Sequence, residues 1–171
     1  MPETLDWLFS LPEAHPELRL ELLGRLLLAS LLGGAIGWER EHARKPAGLR
    51  TNILICMAAT LLTDLSVLVA ASSSVADPGR IAAQIVTGMG FLGAGTIIQS
   101  RGTVIGLTTA ATLWIVAAIG MAIGFGALVE ALGATLLVLM ALVPLRRVEE
   151  MAELRPEDDE SPPEPTSPTS S

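Results

Sequence analysis

The residues of this chain with the greatest chemical potential are charged side chains placed inside or beside apolar segments. Glu21 and Arg25 lie four positions apart, Asp64 lies within a run of aliphatic residues, and Glu130 lies near the start of the last such run. A charge at the centre of a membrane helix costs about 2.5–3.5 kcal/mol on insertion scales, so such residues are usually paired or functional. These side chains therefore indicate either an internal ion-pair network or a site for an ion.

Both interpretations fit the spacing. In the first, Glu21 pairs with Arg25 across one helical turn, and Asp64 or Asp77 pairs with Arg80. In the second, the acids form a loose cup for a hard divalent cation such as Mg²⁺, which prefers carboxylate oxygens and keeps several waters. The sequence predicts no cofactor beyond a weak association of Mg²⁺. The weak candidate ligands are Asp64, Asp77 and Glu130.

The segment from Asp77 to Thr96 combines a charged turn, Asp77 to Arg80, with an apolar run that contains four glycines. Packing between membrane helices depends on small residues that let backbones approach closely, so the segment predicts helix contacts. At about 100° per residue, Gln84 and Gln99 share a stripe with two of the glycines, and this stripe either packs closely or lines a polar groove. The GxGxxG spacing lacks the strand and acidic residue of a dinucleotide site. The predicted packing glycines are Gly33, Gly37, Gly88, Gly90, Gly93 and Gly95.

Further polar residues lie where apolar segments begin or end. Those around the first loop either fix the helix ends or dock a partner. The two threonines that open the fourth segment either bond back to their own helix or line a path for a substrate. Together with the polar residues named above, they give the candidate functional residues Glu39, Arg40, Arg50, Asn52, Asp64, Asp77, Arg80, Gln84, Thr108 and Thr109. No residue is predicted to be catalytic.

Five apolar segments must position these residues. A bilayer core of about 30 Å requires roughly 20 apolar residues per helix. Of the 171 residues 50% are hydrophobic, and the mean hydropathy is +0.54. The sequence therefore predicts an all-α membrane bundle with spans near 20–38, 49–71, 81–99, 104–124 and 126–144. These spans form one domain, 20–145, between an extracytoplasmic segment, 1–19, and a disordered acidic Pro/Ser tail, 146–171.

Basic residues predict the orientation of the spans. Arg40 and Arg44 follow the first span, and Arg146 and Arg147 follow the fifth, so both regions are predicted to be cytoplasmic and the N-terminus outside. The net charge of −7 comes from the tail, because residues 1–148 carry ten basic and ten acidic side chains. The sequence has neither a basic stripe nor an aromatic platform, so nucleic acid is excluded as a partner. The predicted partners are the lipid bilayer and either another membrane protein or a second copy of the chain.

Four motifs occur in the order in which they are found in a known family. They run from Gly33 to Glu41, from Ala47 to Asn52, from Asp77 to Ile97 and from Gly106 to Trp114. In this order they resemble the MgtC/SapB family of bacterial inner-membrane proteins, over about residues 20–145. The resemblance implies about five spans in a bacterial plasma membrane and a link to low Mg²⁺ and to survival inside host cells. It also implies that such members regulate other membrane proteins, including the ATP synthase.

Two departures from the family pattern argue against a virulence role. Many members carry a folded soluble C-terminal domain, where this sequence has only its acidic tail. Virulence-associated members can have Asn at the position of Thr108 and Cys at the position of Ile115.

The sequence and the resemblance together predict a regulatory or accessory protein rather than an enzyme. It would act in Mg²⁺ or membrane-energy homeostasis through helix contacts with other membrane proteins. The alternative is a small transporter or channel for divalent cations or another solute, although no inverted repeat is visible. A Walker-type loop is also absent from the sequence, which excludes an ATPase of that kind.

Overall fold

A computed structural model of the chain describes residues 16–71, 77, 79–100 and 103–153. Over these residues the chain forms five helices, α1 (Pro16–His42), α2 (Leu49–Ala71), α3 (Gly79–Thr96), α4 (Leu107–Gly124) and α5 (Leu128–Glu153). Two short strands, β1 (Ile98–Ser100) and β2 (Thr103–Ile105), lie between α3 and α4. The prediction of an all-α bundle is confirmed.

Three helices in the described part of the chain are long and apolar enough to cross a membrane. They are Leu20–His42 within α1, Leu49–Ala71 and Leu107–Gly124. The apolar part of α5, Leu128–Val143, is shorter, and α3 includes two strongly polar side chains in 18 residues. The chain is therefore a helical membrane protein, and the crossing of the bilayer by α3 and α5 stays a prediction.

The third and fourth predicted spans have the wrong boundaries where they approach each other. Spans at 81–99 and 104–124 leave room for only a short loop, whereas β1 and β2 form an antiparallel hairpin with Ile98 opposite Ile105. The β-branched residues of this stretch fit a strand better than a helix. Gln99 therefore lies in a strand and not on the predicted helical stripe with Gln84.

The fifth helix also differs from its prediction. It continues to Glu153, past the expected start of the disordered tail at residue 146. Arg, Glu, Met and Ala dominate this extension, and all of them favour helix. The later residues of the tail and residues 1–15 of the predicted N-terminal segment lie outside the described residues.

Gly106 allows the hairpin to turn directly into α4. Its φ is 97°, in the left-handed region that favours glycine. A Cβ at this position would overlap the carbonyl oxygen of Thr96 at the end of α3. Both the backbone conformation and the available space therefore require glycine.

The helix α2 is central, since it contacts α1, α3 and α4. One buried cluster joins α1, α2, α4 and α5 and includes Ala29, Ile36, Cys56, Val116, Ile119, Ile123 and Ala131. A second cluster joins α2, α3, α4 and the first loop and consists of Ala47, Ala59, Met89, Leu113 and Ala117. Many other apolar side chains are exposed, as expected for helices whose outer faces meet lipid.

Glycines set the closest approach of α1 to α2. A Cβ at Gly33 would lie 2.8 Å from the carbonyl oxygen of Asn52, and a Cβ at Gly37 would lie 2.8 Å from the Cα of Leu49. Real Cβ atoms do not come this close to backbone. The structure thus places these two predicted packing glycines in direct contact with the neighbouring helix.

Two glycines outside that prediction do the same for α4. A Cβ at Gly124 would lie 2.6 Å from the Cβ of Thr63, and a Cβ at Gly120 would overlap the backbone of Cys56. The hydroxyl of Thr60 lies 2.9 Å from the carbonyl oxygen of Gly120. The spacing of these glycines, four apart in an apolar segment, is the signal that could have identified them.

Candidate functional site

The Arg25 cluster, which consists of Glu21, Arg25 and Asp64, joins three helices at the end of the bundle where α4 turns into α5. Nη1 of Arg25 donates to Oδ1 of Asp64 at 2.6 Å and to the carbonyl oxygen of Gly124 at 2.8 Å. Nη2 donates to Oε1 of Glu21 at 2.5 Å. One guanidinium group therefore holds α1 against α2 and against the C-terminal end of α4.

This arrangement confirms one part of the ion-pair prediction and contradicts the other. The pair between Glu21 and Arg25 is confirmed. The pairing of Asp64 or Asp77 with Arg80 is wrong for the described residues, because Asp64 binds Arg25 instead. The side chains of Arg25 and Asp64 are each 21% exposed, so the pair lies partly inside the bundle. A cavity of about 330 Å³ opens beside Glu21 and Arg25, next to the turn between α4 and α5.

The acids proposed as metal ligands have different surroundings. Asp64 binds Arg25, Asp77 lies at the start of α3, and Glu130 is exposed in the first turn of α5. Within the described ranges, no group of three His, Cys, Asp or Glu side chains could hold a metal ion. A weak association of Mg²⁺ therefore stays a prediction.

The start of α3 forms a second polar site. Asp77 caps the helix, since its Oδ1 accepts a hydrogen bond from the backbone N–H of Gly79 at 2.8 Å and its carbonyl oxygen accepts one from the N–H of Arg80 at 3.2 Å. A cavity of about 500 Å³, which we call the Arg80 cavity, lies here between α2 and α3. Its lining includes Ser66, Val69, Asp77, Arg80, Ile81 and Gln84. Three of the predicted functional residues therefore share one cavity.

The Arg40 cluster, which consists of Glu39, Arg40 and Asn52, lies at the other end of the bundle, beside the loop from α1 to α2. Nε of Arg40 donates to Oε2 of Glu39 at 2.5 Å, and the two residues are only 3% and 9% exposed. The Nδ2 group of Asn52 donates to the carbonyl oxygens of Ala47 at 3.0 Å and Gly48 at 2.8 Å. Asn52 thus fixes the loop to the start of α2, while the pair of Arg40 and Glu39 lies within α1.

Three polar atoms of the Arg40 cluster have no partner among the described residues. They are Oε1 of Glu39, Nη1 of Arg40 and Oδ1 of Asn52. Buried polar atoms in folded proteins are nearly always satisfied, by protein or by ordered water. The cluster therefore has one donor and two acceptors available for water or another small polar molecule.

Neighbouring polar residues complete this end of the bundle. Glu41, which is not among the candidate functional residues, accepts a hydrogen bond from the backbone N–H of Leu49 at 2.8 Å and so caps α2. Arg50 is exposed beside it. At the start of α4, Thr109 is buried and Thr108 is exposed. The structure therefore separates these two threonines instead of aligning both along one path.

One face of α3 remains open. A Cβ at Gly88, Gly90 or Gly95 would have nothing within 4 Å, whereas a Cβ at Gly93 would lie 3.6 Å from the Cβ of Ala110. Phe91 on the same helix is 82% exposed. At about 100° per residue, Gly88, Phe91 and Gly95 lie on one side of the helix, which we call the open face of α3, whereas Gly90 lies nearly opposite Gly88. The contacts predicted for the first three glycines are therefore not made within the described chain, because α3 packs against its neighbours through other positions such as Ala82 and Met89.

The chain is similar to proteins of one known family. The family model described as the MgtC family matches residues 26–151. Protein MgtC of Salmonella typhimurium strain LT2 is 49% identical over 121 residues, which are 71% of this chain and 51% of that protein. "Putative magnesium transporter YhiD" of Escherichia coli K12 is 48% identical over 111 residues, which are 62% of this chain and 52% of that protein. No solved structure matches the chain.

A protein of Synechocystis that is named as uncharacterized is 47% identical over 126 residues, which are 74% of this chain and 53% of that protein. The chain spans about half the length of the curated relatives it matches. Glu21 and Arg25 precede the region that the family model matches, whereas the Arg40 cluster and the described lining of the Arg80 cavity lie within it. Because this region makes up most of the chain and contains α2, α3 and α4 entire, the chain is a membrane protein of the MgtC family.

Proposed function

We propose that this chain is a regulatory or accessory protein of Mg²⁺ homeostasis or membrane energy in a bacterial plasma membrane, with its N-terminus outside and its C-terminus in the cytoplasm. It acts through helix contacts with other membrane proteins, or with a second copy of itself, and it is not an enzyme. The names of the relatives, one of which mentions magnesium, support the connection to Mg²⁺.

The open face of α3 is the observation that carries this proposal. Gly88 and Gly95 on this face let another helix approach the backbone closely, and the exposed ring of Phe91 provides apolar contact area beside them. The charges inside the bundle are meanwhile bound to each other, since Arg25 holds both Glu21 and Asp64. A free intramembrane carboxylate is what a cation pathway would need, and Asp64 does not provide one while it is paired.

The experiment measures Mg²⁺ flux through the chain and, in parallel, the complexes that the chain forms with other membrane proteins. The full chain is reconstituted into liposomes that contain a Mg²⁺-sensitive dye, and in parallel it is purified from native membranes after chemical cross-linking. We expect no Mg²⁺ flux above empty liposomes, together with a defined cross-linked complex. Gly88→Leu, which fills the open face of α3, should abolish the complex, and Gly133→Leu, at another glycine with open surroundings on α5, is the matched control.

The competing function is transport, as the name of the relative in Escherichia coli suggests for that protein. Mg²⁺ flux that disappears in Asp64→Asn would establish this alternative and overturn the regulatory role. A complex that survives Gly88→Leu unchanged would show that the open face of α3 is not the contact surface.

A further inference from the structure

The Arg80 cavity has two charges of opposite sign that do not neutralise each other. Asp77 and Arg80 both line it, yet they form no salt bridge, and no other described residue forms one with either side chain. Asp77 uses Oδ1 to cap α3, which leaves Oδ2 available. The cavity therefore presents one anionic and one cationic group at the same time.

The position of the cavity relates it to the membrane surface. It lies where α2 ends and α3 begins, so its charged groups are close to the ends of the membrane helices, where lipid headgroups are found. Val69 and Ile81 form an apolar part of the lining and are both exposed on the outside of the bundle. An acyl chain can therefore continue from the cavity along the surface of α2 and α3.

The charge pattern selects one class of ligand. A metal cation in the cavity would be repelled by Arg80, and an anionic lipid would be repelled by Asp77. A zwitterion satisfies both, because a phosphate binds the guanidinium group and an ammonium group binds the carboxylate. The volume of about 500 Å³ is also within the range of about 300–1,000 Å³ that is usual for small-molecule sites.

We propose that the Arg80 cavity binds the headgroup of a phospholipid of the phosphatidylethanolamine type. Its phosphate binds Arg80, its primary ammonium group binds Asp77, and Gln84 on the next turn provides an amide for the remaining phosphate or ester oxygens. This site adjoins the open face of α3, since Gln84 lies one turn before Gly88, but it uses none of the residues of that face and does not depend on the regulatory role proposed above.

The test counts the lipids that remain bound to the purified chain. The full chain is incorporated into nanodiscs with equal amounts of phosphatidylethanolamine and phosphatidylglycerol and is then extracted into mild detergent. Native mass spectrometry measures the bound lipids. We expect about fivefold more phosphatidylethanolamine than phosphatidylglycerol, which corresponds to about 1 kcal/mol. Equal retention, or a preference for phosphatidylglycerol, would overturn the proposal.

Three variants test the contributions of Asp77 and Arg80 separately. Asp77→Asn keeps a side chain that can cap the helix and should bring the ratio of the two lipids to about one. Arg80→Gln should lower the retention of both lipids, and Arg80→Lys should restore it. Arg44→Gln removes an exposed arginine of the first loop and is the matched control. An unchanged ratio in Asp77→Asn, or unchanged retention in Arg80→Gln, would contradict the assignment.

Two further measurements keep the test decisive. Circular dichroism verifies that each variant retains its helices, and if Arg80→Gln does not fold, the ratio in Asp77→Asn decides. Glycerophosphoethanolamine at the same concentration as the lipid should not displace the bound lipid, since it lacks the acyl chains that contact Val69 and Ile81. Displacement would show that the cavity is a site for a soluble phosphate ester and not for a lipid.

Discussion

At the scale of single residues, the side chain of Arg25 connects three helices. Its guanidinium group binds two carboxylates and one backbone carbonyl on three different segments of the chain. The pair with Asp64 is partly shielded from solvent, whereas Glu21 is more than half exposed. The two ion pairs of the same arginine should therefore differ in their contribution to stability.

Arg25→Met should lower the free energy of unfolding by about 1.5–3 kcal/mol, since it leaves the carboxylate of Asp64 without its charged partner. Glu21→Gln removes the exposed pair and should change it by less than about 1 kcal/mol. The measurement is thermal unfolding in one detergent. The double variant Arg25→Met/Asp64→Leu should recover most of the loss. A double variant as unstable as the single one would show that the ion pair is not the cause.

A comparison of two glycines separates packing from helix propensity. Gly120→Ala should destabilise the protein by about 1–3 kcal/mol, because the new Cβ overlaps the backbone of α2. Gly88→Ala should be neutral or stabilising by up to about 1 kcal/mol, since the surroundings are open and alanine favours helix. Thermal unfolding of both variants measures the difference. Equal effects would contradict the close approach of α4 to α2.

At the scale of the elements, the hairpin between α3 and α4 distinguishes this bundle from a simple series of helices. Its two strands place the start of α4 beside the end of α3, and Gly106 turns the chain from β2 into α4. The geometry of the hairpin therefore determines where Thr108 and Thr109 enter the bundle.

Gly106→Ala should destabilise the protein by at least about 1–3 kcal/mol, since it combines a left-handed backbone conformation with an overlap at Thr96. Gly95→Ala, in open surroundings near the end of α3, is the matched control. Unfolding temperature and the rate of limited proteolysis at the hairpin measure the effect. If Gly106→Ala behaves like its control, the turn does not have the described conformation.

The helices could be predicted from the sequence because each one contains an apolar segment, and three of those described are long enough to cross the bilayer. The partner of Asp64 could not be predicted, since Arg25 lies 39 positions away and only the packing of α1 on α2 brings them together. The open face of α3 was also not predictable. Glycine spacing indicates that a helix can be approached closely, but it does not say whether the approaching helix belongs to the same chain.

At the scale of the whole molecule, the two polar ends of the bundle have different characters. The Arg40 cluster is nearly closed to solvent, whereas the Arg25 cluster and the Arg80 cavity are partly open. In the proposed orientation the closed end faces the cytoplasm and the open end faces outward.

Cysteine labelling in intact cells tests this orientation. Lys45→Cys in the first loop should react with a membrane-impermeant maleimide only after the cells are opened, and Phe125→Cys in the turn between α4 and α5 should react in intact cells. The native chain, whose single Cys56 is buried, is the unlabelled control. The reverse pattern would place the N-terminus in the cytoplasm.

The bond between Arg25 and Asp64 has a consequence for how the chain enters the membrane during synthesis. When α1 leaves the ribosome, Arg25 has its exposed partner Glu21 but not yet its partly buried partner Asp64. An arginine that is not fully paired is costly in the membrane, since a charge centred in the bilayer costs about 2.5–3.5 kcal/mol. The first helix should therefore remain at the insertion machinery until α2 has been synthesised. On this view α1 and α2 enter the lipid as a pair, and the later arrival of Gly124 completes the coordination of the arginine.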